Sequence, residues 1–136
     1  RTVTTSDVLT NLIHLLALKH IVPFGADDYD KISGNLSFNI ATGKKRAGVL
    51  KGLKAGDLYY ENDKSVLGKK LDYWKSSKTK LTPKTTSALI HFDVVPPITN
   101  KEMNDLIKET TDLVQAFCNA ETKVFVLSKS KKSIRV

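Results

Sequence analysis

The chain is poor in the residues that most enzymes use for covalent or metal-assisted chemistry. Its 136 residues include one cysteine, Cys118, which excludes an internal disulfide framework and is typical of a reducing cytoplasm. We expect Cys118 to pack on the apolar face of a predicted helix. Three histidines and this cysteine form no zinc-ligand spacing, and no Gly-x-Ser-x-Gly elbow, dinucleotide-binding turn or P-loop is present. We therefore expect neither a metal nor a cofactor, and the sequence disfavours a covalent nucleophile.

Long apolar runs are also missing. The richest, Val8–Leu18, is interrupted by three polar residues, whereas a bilayer span needs about 18 uninterrupted apolar residues. No small-residue cleavage site follows it, so a secretory signal is not expected. These absences predict a cytoplasmic protein with no membrane partner. Because the chain opens at Arg1 and its only methionine is Met103, we expect a native segment upstream of it.

Positive charge, by contrast, is abundant. The 22 Lys and Arg residues outnumber 14 Asp and Glu residues, which gives a net charge of +8 and a pI near 9.6. Such a field attracts polyanions more weakly as salt rises, although surface lysines can equally serve solubility. Lysines beside Tyr59, Tyr60, Tyr73 and Trp74 suit single-stranded nucleic acid, whose bases stack on aromatic rings; alternatively, the tyrosines pack inward. The basic residues form two clusters: Lys64, Lys69, Lys70, Lys75, Lys78, Lys80 and Lys84, and Lys44, Lys45, Arg46, Lys51 and Lys54.

Hydrophobic periodicity predicts a single domain over 1–136, of mixed α and β structure, with two helices and about six strands. The helices are expected at about 6–20 and at 100–119, where Thr99 and Glu102 form a capping box. Strands are expected at 35–40, 57–61, 65–73, 86–95 and 122–127, with a basic loop between 74 and 86. The acidic run Asp27–Asp30 is expected to form a turn or the start of a short helix, and its spacing matches no metal-binding loop.

The strand at 86–95 carries two titratable groups inside an apolar alternation. His91 and Asp93 are two residues apart, so the sequence places them on one face of a strand, about 6.5–7 Å apart along it. Both faces of this strand are apolar, which predicts a central strand with little contact to water. Together with Thr10, Asn11 and His14 of the first helix and the threonines at 79, 82, 85 and 86, this pair predicts a polar pocket. The same set could form a satisfied hydrogen-bond network without a substrate.

Two stretches resemble a known family. The run Gly56–Leu113 contains a Thr-Lys-Leu-Thr segment at Thr79–Thr82, a strand ending near Asp93 before Pro96-Pro97, and a helix capped by Thr99. Together with Ala17–Asn35, it resembles the tRNA-binding editing domain (B-three/B-four type) of the phenylalanyl-tRNA synthetase beta subunit, and especially the free-standing proteins made of that domain alone. The resemblance covers about Leu9–Phe125.

This resemblance implies an α+β fold, a three-layer β/β/α sandwich containing a mixed sheet and two main helices. It also implies a free-standing deacylase that hydrolyses mischarged aminoacyl-tRNA carrying an aromatic or similar amino acid, with tRNA as the partner and no phenylalanine ligase activity. DNA is not an expected partner. A pocket that hydrogen-bonds a tyrosine phenol rejects phenylalanine, because its polar groups would otherwise stay unpaired.

Site residues are carried over by position. Asn11, Asp93 and His91 are expected to be catalytic, with His91 and Asp93 as alternatives for one acidic position of the synthetase. Thr10, Thr82 and Thr85 are expected to line the substrate pocket, and Lys75, Lys78, Lys80 and Trp74 to bind the acceptor end of tRNA. The chain departs from the synthetase at Val22–Gly25, where the synthetase has a histidine. That departure leaves open a non-catalytic module binding RNA or an amino acid, and a structural partner of another protein is a third possibility.

Overall fold

A computed structural model describes residues 3–42, 53–69, 74–94 and 97–136. Two α-helices, α1 (Thr5–His20) and α2 (Asn100–Cys118), flank the strands in the sequence. The strands are β1 (Phe24–Asp28), β2 (Ser37–Ile40), β3 (Leu58–Glu61), β4 (Val66–Lys69), β5 (Trp74–Lys75) and β6 (Ala88–Phe92), and a short 3-10 helix, Tyr29–Lys31, follows β1. This arrangement is a small α+β fold, as the sequence predicted.

Both helices begin where their capping residues place them. Thr4 caps α1 and Thr99 caps α2, and each forms a reciprocal capping box with an acidic residue three positions later. The first helix buries Ile13 and Leu16. The helices pack against each other along these apolar faces, and neither is both long and apolar enough to cross a bilayer.

The strands form two sheets. One contains β1 and β6, and the other has the order β2-β3-β4-β5. All described pairings are antiparallel, which corrects the expectation of a mixed sheet. Since β6 pairs with β1 alone among the described strands and is only half-buried, the expectation of a central strand shielded from water was wrong.

Alternate residues of β6 face different layers. The ring of His91 contacts Phe38 and Tyr60 of the four-stranded sheet, with ring centroids 4.7 Å apart in each case. The next residue, Phe92, packs against the core cluster that contains Leu16 of α1 and Leu106 of α2. The two-stranded sheet therefore lies between the helices and the four-stranded sheet, which gives the three layers β/β/α.

Two segments differ from their sequence-based predictions. Asp27 and Asp28 end a strand where a turn or helical start was expected at Asp27–Asp30, because β1 pairs along the whole length of β6. The short helical start is confirmed for the rest of that run, since Asp28 caps the 3-10 helix Tyr29–Lys31. The segment 122–127 forms no strand, and its apolar side chains are exposed. It is rich in β-branched and aromatic residues but pairs with no described strand, and a strand needs a partner to satisfy its backbone groups.

Some predicted features lie outside the described residues. They are positions 70–73 of the strand expected at 65–73, which include Lys70 and Tyr73, and the basic residues Lys44, Lys45, Arg46 and Lys51.

Candidate nucleic-acid interface and polar site

The polar site is built on the face of β1 and β6 that looks toward the four-stranded sheet. Gly25 of β1 lies opposite His91 of β6 in the antiparallel register, and Asp27 lies two residues further along β1. Residues two apart on a strand share a face. The register therefore places Asp27 and His91 on one surface, where both meet Tyr60 of β3.

Asp27 is a fully buried carboxylate, with 0% of its surface exposed. Its oxygens accept hydrogen bonds from the Tyr60 hydroxyl at 3.0 Å and from the Thr79 hydroxyl at 2.5 Å. The ammonium of Lys75 forms an ion pair with the same carboxylate and lies 3.2 Å from the Thr79 hydroxyl. A buried charge is tolerated only when it is paired and hydrogen-bonded, and these three donors meet that requirement.

Asp28, whose side chain lies on the opposite face of β1, also binds the segment that contains Thr79. Its carboxylate accepts a hydrogen bond from the Thr85 hydroxyl at 2.8 Å and lies 3.6 Å from the ammonium of Lys31. Its backbone N–H donates to the carbonyl of Thr79 at 2.8 Å. Consecutive residues of β1 thus hold both ends of the segment 79–85.

The segment 75–85, which we call the basic loop, contains this held stretch and presents three of its four lysines to solvent. Lys78, Lys80 and Lys84 are exposed and form no ion pair among the described residues. The Thr82 N–H donates to the Thr85 hydroxyl at 2.9 Å, and the Thr85 N–H donates to the Thr82 carbonyl at 3.0 Å. These two threonines therefore shape the turn of the loop, and Thr85 also anchors it.

This face carries two polar units. The first is Asp27 with its three donors, and the second is the pair His91 and Asp93. The Nδ1 atom of His91 lies 3.2 Å from a carboxylate oxygen of Asp93, which confirms that the two side chains share a face. The other ring nitrogen, Nε2, is buried and has no hydrogen-bond partner among the described residues. It rests against Gly25, where an added Cβ atom would overlap the imidazole. The absence of a side chain at Gly25 therefore leaves room for the imidazole.

Tyr60 connects the two polar units. Its hydroxyl donates to Asp27, the edge of its ring meets His91, and the Lys75 ammonium lies 5.6 Å from its ring centre. The side chain of Tyr60 therefore lies between Lys75, at the start of the basic loop, and His91.

The remaining sequence-predicted site residues lie elsewhere or take other roles. On α1, Thr10 is half-buried and Asn11 is exposed. This helix packs on the far side of the two-stranded sheet. No described hydrogen bond joins Asn11 to His91 or Asp93. Trp74 begins β5, opposite Lys69. Of the lysines predicted to bind RNA, Lys75 holds Asp27, whereas Lys78 and Lys80 point to solvent.

Sequence reasoning missed Asp27, Asp28 and Gly25 as site residues, and for Tyr60 the structure favours the alternative of inward packing, since it is 8% exposed. The available signal was the group of acidic residues at 27–30, which is unusual inside a strand. Its meaning depends on partners 48 and 52 positions away, namely Lys75 and Thr79. Nothing in the local pattern identifies those partners.

Away from this face, the surroundings of two side chains shift their pKa values. Hydrogen bonds from Lys19 and then His20 lower the pKa of the Glu109 carboxyl, which links α1 to α2 at 2.7 Å and 3.0 Å. Burial raises the pKa of the Cys118 thiol. A raised thiol pKa leaves little thiolate at neutral pH, so Cys118 is a poor nucleophile.

Within the described ranges, no group of three His, Cys, Asp or Glu side chains is arranged to hold a metal ion. A cavity of about 210 Å³ lies between the end of α1 and α2, lined by Lys19, His20 and Glu102 among others, and therefore not at the His91–Asp93 pair. No protein-family model, curated protein or solved structure matches this chain.

Proposed function

We propose that this protein binds the acceptor end of tRNA and hydrolyses the ester of a mischarged aminoacyl-tRNA, as a free-standing cytoplasmic editing domain. One observation carries the proposal: a lysine-bearing loop is fixed on two buried carboxylates, beside a hydrogen-bonded His–Asp pair. The likeness of the sequence to the editing domain of the phenylalanyl-tRNA synthetase beta subunit supports the same function.

The basic loop supplies the binding energy. Phosphates attract exposed lysines, and fixing the loop in advance lowers the entropy lost when RNA binds. Lys78, Lys80 and Lys84 are the phosphate contacts, because their ammonium groups are exposed. Lys75 instead positions the loop, since the buried Asp27 holds its ammonium.

The His91–Asp93 pair supplies the acid–base chemistry. In the proposed mechanism the Asp93 carboxylate accepts a hydrogen bond from Nδ1–H of His91, which leaves the lone pair of the imidazole on Nε2. Nε2 takes a proton from water as the water oxygen attacks the ester carbonyl carbon. The bond from that carbon to the ribose oxygen then breaks, and the imidazolium returns the proton to the ribose oxygen. The products are the free amino acid and uncharged tRNA.

This role requires His91 to move, because Nε2 faces Gly25. In the proposed mechanism the imidazole rotates away from Gly25, so that Nε2 meets water and the ester. Substrate binding favours this rotated state.

A panel of mischarged tRNAs incubated with purified protein tests the proposal. Release of amino acid above the spontaneous rate is expected for at least one aromatic or similar amino acid. His91→Gln and Asp93→Asn should each lower that rate by about 10²–10⁴-fold, the usual contribution of acid–base catalysis, while RNA binding persists. Asp112→Asn, an exposed change of the same chemistry on α2, should have no effect.

A non-catalytic RNA- or amino-acid-binding module is the second candidate, and the buried Nε2 atom favours it. In that case His91 is only a packing residue between the sheets. Binding that weakens steeply with salt, without release of amino acid from any mischarged tRNA, would support this alternative.

A further inference from the structure

Phe38 is exposed on a face of its strand that the neighbouring layer should cover. It lies on β2, the edge strand of the four-stranded sheet, and 45% of its surface is exposed. Its side chain contacts Tyr60 and His91, so it looks toward the two-stranded sheet. Ile40, two residues on, is 65% exposed on the same face. Solvent therefore reaches the side of β2 that faces the two-stranded sheet.

The exposed ring is held in place by other rings. It stacks on Tyr60 with the centroids 5.5 Å apart and the planes at 27°, and it meets His91 edge-on at 4.7 Å. The supported ring remains partly exposed, and nucleic-acid-binding proteins stack bases on exposed aromatic rings.

One ammonium group lies near the Tyr60 ring that supports Phe38. The Lys75 ammonium is 5.6 Å from the centre of the Tyr60 ring on which Phe38 stacks, and the exposed lysines of the basic loop follow Lys75 in the chain. Exposed Phe117 on α2, at 64%, makes no ring contact among the described residues. An exposed aromatic ring on a protein with a net charge of +8 suits a nucleotide, whose base can stack on the ring while lysines attract its phosphates.

We propose that Phe38 is the stacking platform for an unpaired nucleobase, the terminal base of a single-stranded RNA 3′ end. This inference rests on the proposed function for the source of that base, and it places the terminal nucleotide on the exposed side of Phe38, the residue whose ring contacts His91. Stacking of the base on Phe38 would bring the ribose and its ester next to the His91–Asp93 pair, whereas the basic loop holds the phosphates.

The test uses two RNA hairpins with a single-stranded ACCA 3′ end, identical except that one lacks the terminal base. Affinities are measured by fluorescence anisotropy at one fixed salt concentration. Wild-type protein should bind the abasic hairpin more weakly by about 5- to 150-fold, the range for loss of one base–aromatic stack. Phe38→Leu keeps an apolar side chain but no ring, so it should bind the intact hairpin as weakly as wild type binds the abasic one. It should not distinguish the two hairpins.

Two further variants are controls, one for the position of the substitution and one for loss of folding. Phe117→Leu, the matched exposed position on α2, should behave as wild type. Phe38→Trp keeps an aromatic face and should still distinguish the hairpins, even if Phe38→Leu fails to fold. The inference is overturned if wild-type protein binds both hairpins equally, or if folded Phe38→Leu discriminates between them as wild type does.

The outcomes separate this inference from the proposed function. Base discrimination that depends on Phe38, without deacylation, would retain the stacking platform and reject the hydrolase. Deacylation with no discrimination between the hairpins would do the reverse.

Discussion

Replacing Asp27 by Asn should destabilise the protein more than any comparable surface change. The substitution keeps the size of the side chain but removes the charge that the Lys75 ammonium neutralises. It also replaces one carboxylate oxygen by an NH₂ group, so that either the Tyr60 or the Thr79 hydroxyl loses its acceptor.

The expected loss follows from the burial of the group. Removing one partner of a buried ion pair typically costs about 3–5 kcal/mol. Asp27 is fully buried, but about a quarter of the Lys75 side chain is exposed, 27%, so its ammonium can turn to water and recover part of that cost. We expect a loss of about 3 kcal/mol, the low end of that range.

Urea denaturation followed by circular dichroism measures this loss. With an m-value of about 2 kcal/mol/M, the transition midpoint should fall by about 1.5 M. Asp112→Asn is the matched control, because its pair with Lys108 on α2 is exposed on both sides; such a pair is worth about 0.3–0.5 kcal/mol, a shift of less than about 0.3 M. Equal shifts for the two variants would refute the claim that a buried carboxylate anchors the basic loop.

Three further predictions follow from other parts of the structure. Lys78→Gln combined with Lys80→Gln should weaken RNA binding and reduce the slope of log affinity against log salt by about 1.4, or about 0.7 for each phosphate of a single strand that is no longer neutralised. Gly25→Ala should lower stability by about 1–3 kcal/mol in urea denaturation, because the new Cβ atom would overlap the His91 imidazole. Glu109→Gln should lower the melting temperature at neutral pH but not in acid. The reason is that Lys19 and then His20 lower the pKa of the Glu109 carboxyl. The stabilising effect of the carboxylate is therefore present above its unfolded pKa, near 4.5, and is lost as pH falls through the lower folded value.

Each of these has a matched control or a contrary result. Lys101→Gln combined with Lys108→Gln removes the same charge from α2 and should leave the salt slope almost unchanged; equal effects would mean that net charge alone binds RNA. Wild-type stability in the Gly25 variant would show that the His91 ring moves aside without cost. A gap between wild type and Glu109→Gln that stays constant down to about pH 3, below the usual range of a glutamate, would contradict the lowered pKa.

The sequence predicted those parts of the fold that depend on local signals. The capping box of Thr99 and Glu102 and the apolar spacing after it located α2 to within one residue at its C-terminal end. The period-2 pattern of the late strand put His91 and Asp93 on one face, and their side chains meet there. Both predictions rest on geometry within one element.

The features that the sequence did not predict depend on partners far away in the chain. Asp27 and Asp28 are poor strand formers, and only pairing with β6 and bonds to the basic loop make them part of a strand. The segment 122–127 shows the opposite case, since a good strand pattern forms no strand where no described neighbour pairs with it. Asn11 was grouped with the late strand by analogy of sequence, but α1 places it in the helical layer.

The measurement that tests the account most directly is the release of labelled amino acid from a mischarged tRNA, followed with wild-type protein and with His91→Gln at equal occupancy by RNA. We predict release well above the spontaneous rate for wild type and release close to that rate for His91→Gln. Equal rates for the two proteins, or no release by wild type across the panel of mischarged tRNAs, would contradict the proposal that the His91–Asp93 pair hydrolyses the ester.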